Sequence, residues 1–465
     1  DAADGAWSPD GKLVAFSSNR TAEPDGNSNS DLWIVSASNT DQGKTLRRVT
    51  SNPGSDSSPA WSPDGKTLTY VTVVEPRLLW YATSHLAVIP AVGGEAKLLT
   101  AELDRNVSSP RFTPDGTSIL FLLEDSGARH LAKIGRAGGK VQRPVDGDLS
   151  VRRFSLGGGK TVVLLSRPHL PPEVFVVDPD GLRQLTETHR ELLDAVDLGE
   201  VVNFHVDSDG FEIEGFLTLP PDYNPSLTYP TLLRPHGGPV AQYDFGFHFE
   251  SQLFAAHGYV VVRPNPRGSS GYGQEFSREI FADWGRKDTR DVLAAVDYAV
   301  AQGYSDPDRL GVGGWSYGGM LTNYVITQTD RFKAAITGAS EVLYVANYGH
   351  DHYQLAWELE LGLPWENREA WERISPFNEV EKIVTPTLVM CGALDWNVPV
   401  QNSEQLYQAL KRLGRETQLV VYPGEHHGIR TPSFQKDRLE RYLAWYDRLV
   451  KGEAPTVESS ESSSD

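Results

Sequence analysis

Apolar and polar residues alternate along the first part of the chain in a pattern that occurs four times. The copies are AWSPDGKLVAFSS from residue 6, AWSPDGKTLTYVT from 60, RFTPDGTSILFLL from 111 and a weaker RFSLGGGKTVVLL from 153. Ser-Pro-Asp-Gly suits a type I turn, and the alternating β-formers after it suit the next strand of a hairpin. The aromatic residues of the copies lie 54, 51 and 42 residues apart, at Trp7, Trp61, Phe112 and Phe154. This spacing is typical of propeller blades and predicts about four of them over residues 1–198, with an all-β sandwich as the alternative.

The pattern changes near residue 199 to strands that alternate with helices. YPTLLRP, GYVVVRP, PTLVMCG and TQLVVYPG are apolar runs suited to buried parallel strands, and DTRDVLAAVDYAVAQG has helical periodicity. This alternation predicts an α/β hydrolase domain with a doubly wound, mostly parallel sheet over residues 199–452. An amphipathic helix is expected at 434–450, and the acidic segment 453–465 is expected to be a disordered tail.

Composition excludes several classes of partner. The chain carries 43 Lys+Arg against 62 Asp+Glu, a net charge of −19, which argues against a nucleic-acid partner. No apolar run approaches the roughly 18 residues of a membrane span, so no membrane partner is expected either. The single cysteine, Cys391, excludes an internal disulfide. The compartment stays open, with the cytoplasm favoured over the periplasm or secretion.

The stretch GVGGWSYGGML, residues 311–321, contains the first candidate for chemistry. Its G-x-S-x-G motif follows a predicted strand and opens a predicted helix, a setting in which Ser316 is held exposed at the carboxyl edge of a sheet. Gly314 and Gly318 would leave room for backbone that passes close by. An ordinary glycine-rich loop is the alternative for the motif alone. A serine nucleophile also needs a base, and the base needs an orienting acid.

Both groups follow downstream, in the order Ser, Asp, His. Asp395 comes just after the strand PTLVMCG, and the histidines His426 and His427 come just after TQLVVYPG. Taken singly, the aspartate could be a helix cap and the histidines an exposed pair or a metal site that lacks other ligands. Three motifs at the carboxyl ends of three strands favour a catalytic triad, and no metal or cofactor is expected.

A fourth motif, HGGP, follows the strand YPTLLRP and supplies candidates for an oxyanion hole. Gly237 and Gly238 can turn backbone N–H groups toward the carbonyl that Ser316 would attack, and the N–H of Tyr317 is the expected second donor. A plain glycine turn is the alternative for this segment. The predicted pair of donors is therefore Gly238 and Tyr317.

Together these motifs resemble the prolyl oligopeptidase family of serine peptidases, most closely its acylaminoacyl-peptidase branch. The resemblance covers HGGP, RPNPRGSSGYG at 263, GWSYGG, GALDWNVP, YPGEHHGI and the Ser-Pro-Asp-Gly repeats. It implies hydrolysis of short peptides through an acyl-enzyme, with a propeller over the active site that restricts entry. Arg267, within RGSSGYG, is interpreted as structural.

The resemblance also implies roles for individual residues. The base of the family directly precedes the glycine of this loop, which assigns the base to His427 and leaves His426 pointing the other way. Asn397 resembles the residue that binds a substrate backbone carbonyl. The apolar wall of the S1 pocket would be formed by Tyr317, Val342, Tyr344 and Val398.

Three features depart from the family. It commonly has glycine at the position of His426; its dipeptidyl peptidases carry an adjacent Glu-Glu pair, which this sequence lacks; and its propeller usually has about seven blades. Because the sequence starts inside a repeat without Met, we expect N-terminal blades to be missing. The exposed strand edges would then favour homo-oligomers, and a wide mouth would discriminate poorly by substrate length.

Two classes of function remain open. The first is a serine peptidase of acylaminoacyl, dipeptidyl or oligopeptidase type that acts on short peptides. The second is a carboxylesterase or amidase that acts on small acyl substrates with the same groups, since a fold does not determine a substrate. A pseudoenzyme with a binding propeller is disfavoured by the complete triad.

Overall fold

The computed structural model describes residues 2–38, 40 and 42–452. The predicted acidic tail, 453–465, lies outside the described residues. No helix in the described part of the chain is long and apolar enough to cross a membrane.

The N-terminal half consists of four successive antiparallel units of four strands. The first contains Ala3–Trp7 (β1), Leu13–Ser18 (β2), Asp31–Ser36 (β3) and Arg47–Arg48 (β4), and the second Asp56–Trp61 (β5), Thr67–Val73 (β6), Ser84–Pro90 (β7) and Lys97–Leu98 (β8). The third contains Val107–Phe112 (β9), Ser118–Asp125 (β10), Ala128–Gly135 (β11) and Gln142–Val145 (β12). The fourth contains Ser150–Gly157 (β13), Lys160–Arg167 (β14), Leu170–Asp178 (β15) and Gly181–Gln184 (β16).

The Ser-Pro-Asp-Gly segments form the first turn of their units, between β1 and β2 and between β5 and β6. In the second unit the Ser62 hydroxyl donates to Asp64 Oδ1 at 2.5 Å, and the backbone N–H of Lys66 donates to the same oxygen at 3.0 Å. Gly65 has a φ of 66°, in the left-handed region that glycine adopts without strain. The geometry of the turn therefore explains why the repeat has aspartate at its third position and glycine at its fourth.

Successive units pack their sheets against one another. Leu32 and Ile34 of the first unit share a buried cluster with Leu68 and Tyr70 of the second. The third and fourth units also join edge to edge, through a parallel bridge between β11 and β13.

The C-terminal half is built on one eight-stranded sheet with the strand order β17-β18-β20-β19-β21-β22-β23-β24. Its strands are Val201–Ser208 (β17), Phe211–Thr218 (β18), Tyr229–Leu233 (β19), Val260–Pro264 (β20), Ser305–Trp315 (β21), Ala334–Gly338 (β22), Thr387–Gly392 (β23) and Thr417–Tyr422 (β24). The first two strands are antiparallel, and β19 to β24 are parallel to one another. The carboxyl ends of the parallel strands therefore meet at one edge of the sheet.

Helices cover both faces of this sheet. The helices from residue 190 onward are Arg190–Leu193 (α1), Phe249–Ala256 (α2), Gln274–Arg278 (α3), Lys287–Ala301 (α4), Tyr317–Gln328 (α5), Gln354–Leu361 (α6), Arg368–Arg373 (α7), Val400–Arg412 (α8) and Pro432–Tyr446 (α9). Those that pack on the sheet include α2, α4, α5, α8 and α9. Two buried clusters lie against the sheet, and Tyr446 of α9 belongs to one of them. The resulting layers are helix, sheet and helix.

A short 3-10 segment of the second β unit, Pro76–Tyr81, reaches into the α/β half. The Tyr81 hydroxyl donates to Glu360 Oε1 at 2.9 Å, and the indole N–H of Trp284 donates to the same oxygen at 2.8 Å. Burial raises the pKa of Glu360 to about 7. These bonds fix the position of Trp80, the residue before Tyr81.

Candidate active site

Ser316 lies on a sharp turn between β21 and α5. Its φ of 61° and ψ of −129° are sparsely populated for a residue with a side chain, at a cost of about 1–3 kcal/mol. The turn is held by a hydrogen bond from the Ser316 N–H to the Gly338 carbonyl of β22 at 2.9 Å. The serine therefore occupies the carboxyl edge of the sheet, at the amino terminus of a helix.

Two glycines of the G-x-S-x-G motif are required by close backbone contacts. A Cβ atom on Gly314 would lie 2.4 Å from the carbonyl carbon of Gly318. A Cβ atom on Gly318 would lie 2.2 Å from the carbonyl oxygen of Pro235, which precedes the HGGP loop. Both distances are far shorter than van der Waals contact, so only glycine lets the strand, the turn and the helix approach in this way.

Asp395 and His427 are brought together from two different strand ends. The Nδ1 of His427 lies 2.8 Å from Oδ2 of Asp395, whose side chain is fully buried, while that of His427 is 24% exposed. The other oxygen of Asp395 accepts the backbone N–H groups of Asn397 at 2.9 Å and Val398 at 3.0 Å. The aspartate is therefore oriented by its own loop and receives the imidazole N–H on its free oxygen.

The loop of His427 is tied to the nucleophile turn through Trp315. The indole N–H of Trp315 donates to the carbonyl oxygen of His427 at 2.8 Å, and Trp315 directly precedes Ser316. No hydrogen bond joins the hydroxyl of Ser316 to His427 among the described residues. The two groups share one sheet edge, and such contacts often tighten only when substrate binds.

The neighbouring histidine faces a different group. His426 is exposed, and its Nδ1 lies 2.8 Å from the carbonyl oxygen of Leu394. The structure thus places His427 and not His426 against Asp395.

The HGGP loop passes close to Ser316. Gly238 lines the same pocket as the serine, and a Cβ atom on Gly237 would lie 3.6 Å from Cβ of Ser316. His236 supports the loop, with its Nδ1 2.8 Å from the Gly237 carbonyl oxygen and its Nε2 2.9 Å from Ser269 Oγ. Burial lowers the pKa of His236 to about 4, so this ring is neutral at ordinary pH. Ser269 belongs to RGSSGYG, which thereby gains a structural role.

The first residue of α5, Tyr317, presents a backbone N–H near the same place. The N–H groups of the first helical turn have no acceptor within the helix. Together with the positive end of the helix dipole, this makes the position suitable for a developing oxyanion.

Arg267, the other residue singled out in RGSSGYG, is buried. Its guanidinium donates to both oxygens of Asp291, from Nε at 2.9 Å and from Nη2 at 2.7 Å. This two-point contact ties the motif to helix α4, as its structural interpretation requires.

A pocket of about 190 Å³ opens beside Ser316. The turn of Ser316, the HGGP loop and the segment after β22 all contribute to it, and the N-terminal half contributes one residue, Trp80. Its lining consists of Trp80, Gly238, Pro239, Val240, Trp284, Ser316, Met320, Glu341, Tyr353, Trp357 and Val398. Four of these residues are aromatic, and Glu341 is the acidic group among them.

Three residues expected in the S1 wall are not among those that line this pocket. Tyr317, Val342 and Tyr344 are buried members of the main hydrophobic cluster. The Tyr317 hydroxyl donates to Asp288 Oδ2 at 2.6 Å, which turns its ring into the core. The hydroxyl groups of Tyr344 and Tyr324 are hydrogen-bonded to each other at 2.9 Å, which holds the ring of Tyr344 in place.

The other two residues that were expected to bind substrate lie in the Asp395 loop. Val398 does line the pocket. Asn397 is partly exposed, and its backbone N–H is bound to Asp395. Its side chain is therefore available near the site, and a role in holding a substrate carbonyl stays a prediction.

The aromatic walls and Glu341 were missed by the sequence interpretation. Glu341 follows β22 by three residues, so the rule that found Asp395 at the end of its strand also applies to it. Trp80 lies in PRLLWY, an apolar run between two strands of the second repeat that has no counterpart in the other copies. The insertion of this apolar run into the second repeat is the sequence feature that could have indicated a role for Trp80.

Sequence comparison relates the α/β half to a known family. The model of the prolyl oligopeptidase family matches residues 245–453. The uncharacterized peptidase YuxL of Bacillus subtilis is 35% identical over 311 residues, which is 64% of this chain and 47% of that protein. Dipeptidyl-peptidase 5 of Porphyromonas gingivalis is 28% identical over 465 residues, 96% of this chain and 67% of that protein. The chain thus spans about half of the first relative and two thirds of the second.

Solved structures show the same architecture. Acylaminoacyl peptidase of Pyrococcus horikoshii matches with a TM-score of 0.86 at 24% identity, over 97% of this chain and 71% of that one. A puromycin-hydrolyzing peptidase of Mycobacterium tuberculosis matches with a TM-score of 0.77 at 23% identity, over 97% and 71%. The predicted fold class, an α/β hydrolase preceded by an all-β propeller-like region, is confirmed.

Proposed function

The chain belongs to the prolyl oligopeptidase family through its α/β half, and on that premise we propose that it is a serine peptidase that hydrolyses short peptides. The proposed catalytic residues are Ser316, Asp395 and His427, with Gly238 and Tyr317 as oxyanion donors. Residues 1–198 would cover the site and 199–452 would carry the chemistry.

One observation carries the proposal. Ser316 sits on a strained turn at the end of β21, while the hydrogen-bonded pair of Asp395 and His427 stands at the ends of β23 and β24. Trp315 joins the two groups through the carbonyl oxygen of His427. If Ser316 had only a structural role, nothing would explain why its backbone is held at a strained positive φ at the same sheet edge as a histidine oriented by an aspartate.

Acylation would begin with attack of Ser316 Oγ on the carbonyl carbon of the substrate. His427 Nε2 takes the hydroxyl proton, because Asp395 holds the other nitrogen as N–H and stabilises the imidazolium that forms. The negative charge on the former carbonyl oxygen would be met by the N–H groups of Gly238 and Tyr317.

The tetrahedral intermediate would then collapse to an ester on Ser316. His427 gives its proton to the leaving amine as the C–N bond breaks. A water molecule, activated by the same imidazole, attacks the ester carbonyl. Its addition and the return of the proton to Ser316 Oγ release the carboxylic acid and restore the enzyme.

Short amides are the favoured substrate class. The relatives and structural neighbours are named as a dipeptidyl peptidase, an acylaminoacyl peptidase and a puromycin-hydrolyzing peptidase. The pocket of about 190 Å³ is closed on one side by Trp80 from the β half, which restricts the space beside the nucleophile. An exopeptidase or oligopeptidase fits this restriction better than a protease of folded proteins.

Parallel assays on peptide p-nitroanilides and p-nitrophenyl acyl esters would test this function. We expect measurable kcat/KM on dipeptide and acyl-amino-acid anilides. Amide hydrolysis needs a protonated imidazole to expel the amine, and His427 would supply that proton. Hydrolysis of esters alone would contradict the peptidase proposal and favour a carboxylesterase.

We expect Asp395→Asn to fold normally and to lose about 10⁴-fold in kcat. Because Oδ1 accepts the N–H groups of Asn397 and Val398, the new amide would keep its oxygen there and turn its NH₂ toward His427. The imidazole would then accept at Nδ1 and carry its proton on Nε2, where it cannot take the proton of Ser316.

Steady-state kinetics and thermal unfolding of Asp395→Asn measure these two effects separately. Asp330→Asn is the matched control, because Asp330 is exposed and precedes β22 at the opposite edge of the sheet. An Asp395→Asn protein with wild-type kcat would point to another acid. One that unfolds at ordinary temperature would make Asp395 mainly structural.

A further inference from the structure

The pocket beside Ser316 contains a buried carboxyl group that the proposed mechanism does not use. Glu341 is 0% exposed and lines the pocket together with the nucleophile. Among the described residues, no donor meets full hydrogen-bond geometry at either of its carboxyl oxygens, although the side-chain amide of Asn347 lies close enough to lower the pKa of Glu341. A buried carboxyl without a donor is costly, and such groups normally have a partner.

A second carboxyl group faces it. Burial raises the pKa of Glu341 well above its usual range, and the next causes are the charge of Asp351 and a hydrogen bond between the two carboxyl groups. Asp351 accepts the N–H of Tyr353 at 2.8 Å and the indole N–H of Trp357 at 2.9 Å, so it is held in place by two residues of the pocket wall. Two facing carboxylates repel each other unless they share a proton or a cation lies between or beside them.

No lysine or arginine in the described part of the chain fulfils this need, and a charge effect of His352, weaker than the burial that raises the pKa of Asp351, acts to lower it. In the described residues neither Glu341 nor Asp351 forms an ion pair with lysine or arginine. With one shared proton the pair still carries about one negative charge. Asp395 lies close enough to add to the negative field at Glu341.

The walls of the pocket are also suited to a cation. Trp80 packs edge to face on Tyr353 and on Trp357, with ring centroids 5.9 and 6.2 Å apart, and Trp284 packs on Trp357 at 5.4 Å. Aromatic faces attract ammonium groups, more strongly where water is excluded. A pocket with carboxyl oxygens and aromatic side chains in its wall therefore favours a positively charged ligand over a neutral one.

We propose that the pocket beside Ser316 binds an ammonium group of the substrate against the carboxyl group of Glu341, which lines the pocket and has Asp351 next to it. A cavity of about 150 Å³ holds one benzene molecule, so this pocket holds little more than one side chain. The ammonium group would then belong to the residue whose carbonyl is attacked, either as a lysine-like side chain or as its free α-amino group. Hydrolysis of that substrate rests on the proposed peptidase function, whereas binding of the ammonium group depends on the pocket alone.

Ligand-observed NMR on the whole protein tests the binding without any reaction. We expect n-butylammonium to bind about tenfold or more tightly than n-butanol, which has nearly the same shape without the charge. Glu341→Gln should remove most of this preference. Glu366→Gln, an exposed site with the same chemical change, should keep it. Equal affinities for the two ligands in the wild type would overturn the proposal, and that comparison needs no variant.

Four amides distinguish the two sources of the ammonium group. They are lysyl and norleucyl aminomethylcoumarin amides, each with a free and with an acetylated α-amino group. A preference for lysyl over norleucyl within the acetylated pair assigns the side chain, and a preference for free over acetylated norleucyl assigns the α-amino group. Equal kcat/KM on all four would overturn the proposal while the peptidase function stands. Failure to cleave any of them, with the NMR preference intact, would instead count against the peptidase function.

Discussion

Ser316→Ala is expected to lower kcat by about 10⁶-fold on any amide substrate that the wild-type chain cleaves. Without Oγ no acyl-enzyme forms, and attack by water must rely on the oxyanion donors and on substrate binding alone. The alanine should be tolerated structurally, because the hydrogen bonds that hold this turn come from backbone groups, such as the Ser316 N–H to the Gly338 carbonyl. Single-turnover kinetics with a peptide anilide, and labelling by a fluorophosphonate probe, measure the effect.

The control for this variant is Ser433→Ala, at an exposed serine near the start of α9. It should keep both activity and labelling. A Ser316→Ala protein with activity within tenfold of the wild type would refute the assignment of the nucleophile. Retained labelling at another serine would place the chemistry elsewhere.

Much of the fold could be read from local patterns because local rules determine it. The repeated Ser-Pro-Asp-Gly turns predicted β units, and the structure has one four-stranded unit for each copy. The parallel bridge that joins the third and fourth units, between Arg129 and Ser150, has no local signature because it depends on how neighbouring units meet. The domain limits at 198 and 199 stay a prediction.

The positions proposed for the triad follow from the same kind of rule. Ser316, Asp395 and His427 each come a few residues after an apolar run, and parallel strands bring their carboxyl ends to one edge. The hydrogen bond between His427 and Asp395 is what such a rule anticipates. Which histidine faces the acid depends on loop geometry, and only the resemblance to a family suggested the choice.

The pocket was harder to anticipate because its walls come from distant parts of the chain. Trp80 belongs to the β half, whereas Trp284 and Trp357 come from separate segments of the α/β half. Tyr317 was expected to line the pocket by resemblance, but its hydroxyl finds a buried partner in Asp288. Asp288 is fully buried, and this burial raises its pKa to about 6.

His427→Ala is expected to lose nearly as much activity as Ser316→Ala, about 10⁶-fold in kcat. The serine hydroxyl loses the base proposed for it, whose Nδ1 faces Asp395 at 2.8 Å. The carbonyl oxygen of residue 427 still accepts the indole N–H of Trp315, so the loop should stay in place.

The adjacent histidine is a matched control, since His426→Ala removes the same ring one residue away. Its Nδ1 faces the Leu394 carbonyl and not a carboxylate, so the variant should change KM or the stability of the loop more than kcat. Rate profiles of both variants from pH 5 to 9 on one peptide anilide give the comparison. If His426→Ala proved the more damaging of the two, the base would be His426. The contact between His427 and Asp395 would then have to be structural. An imidazole that is hydrogen-bonded to a buried carboxylate but does not reach the serine proton can only stabilise its loop.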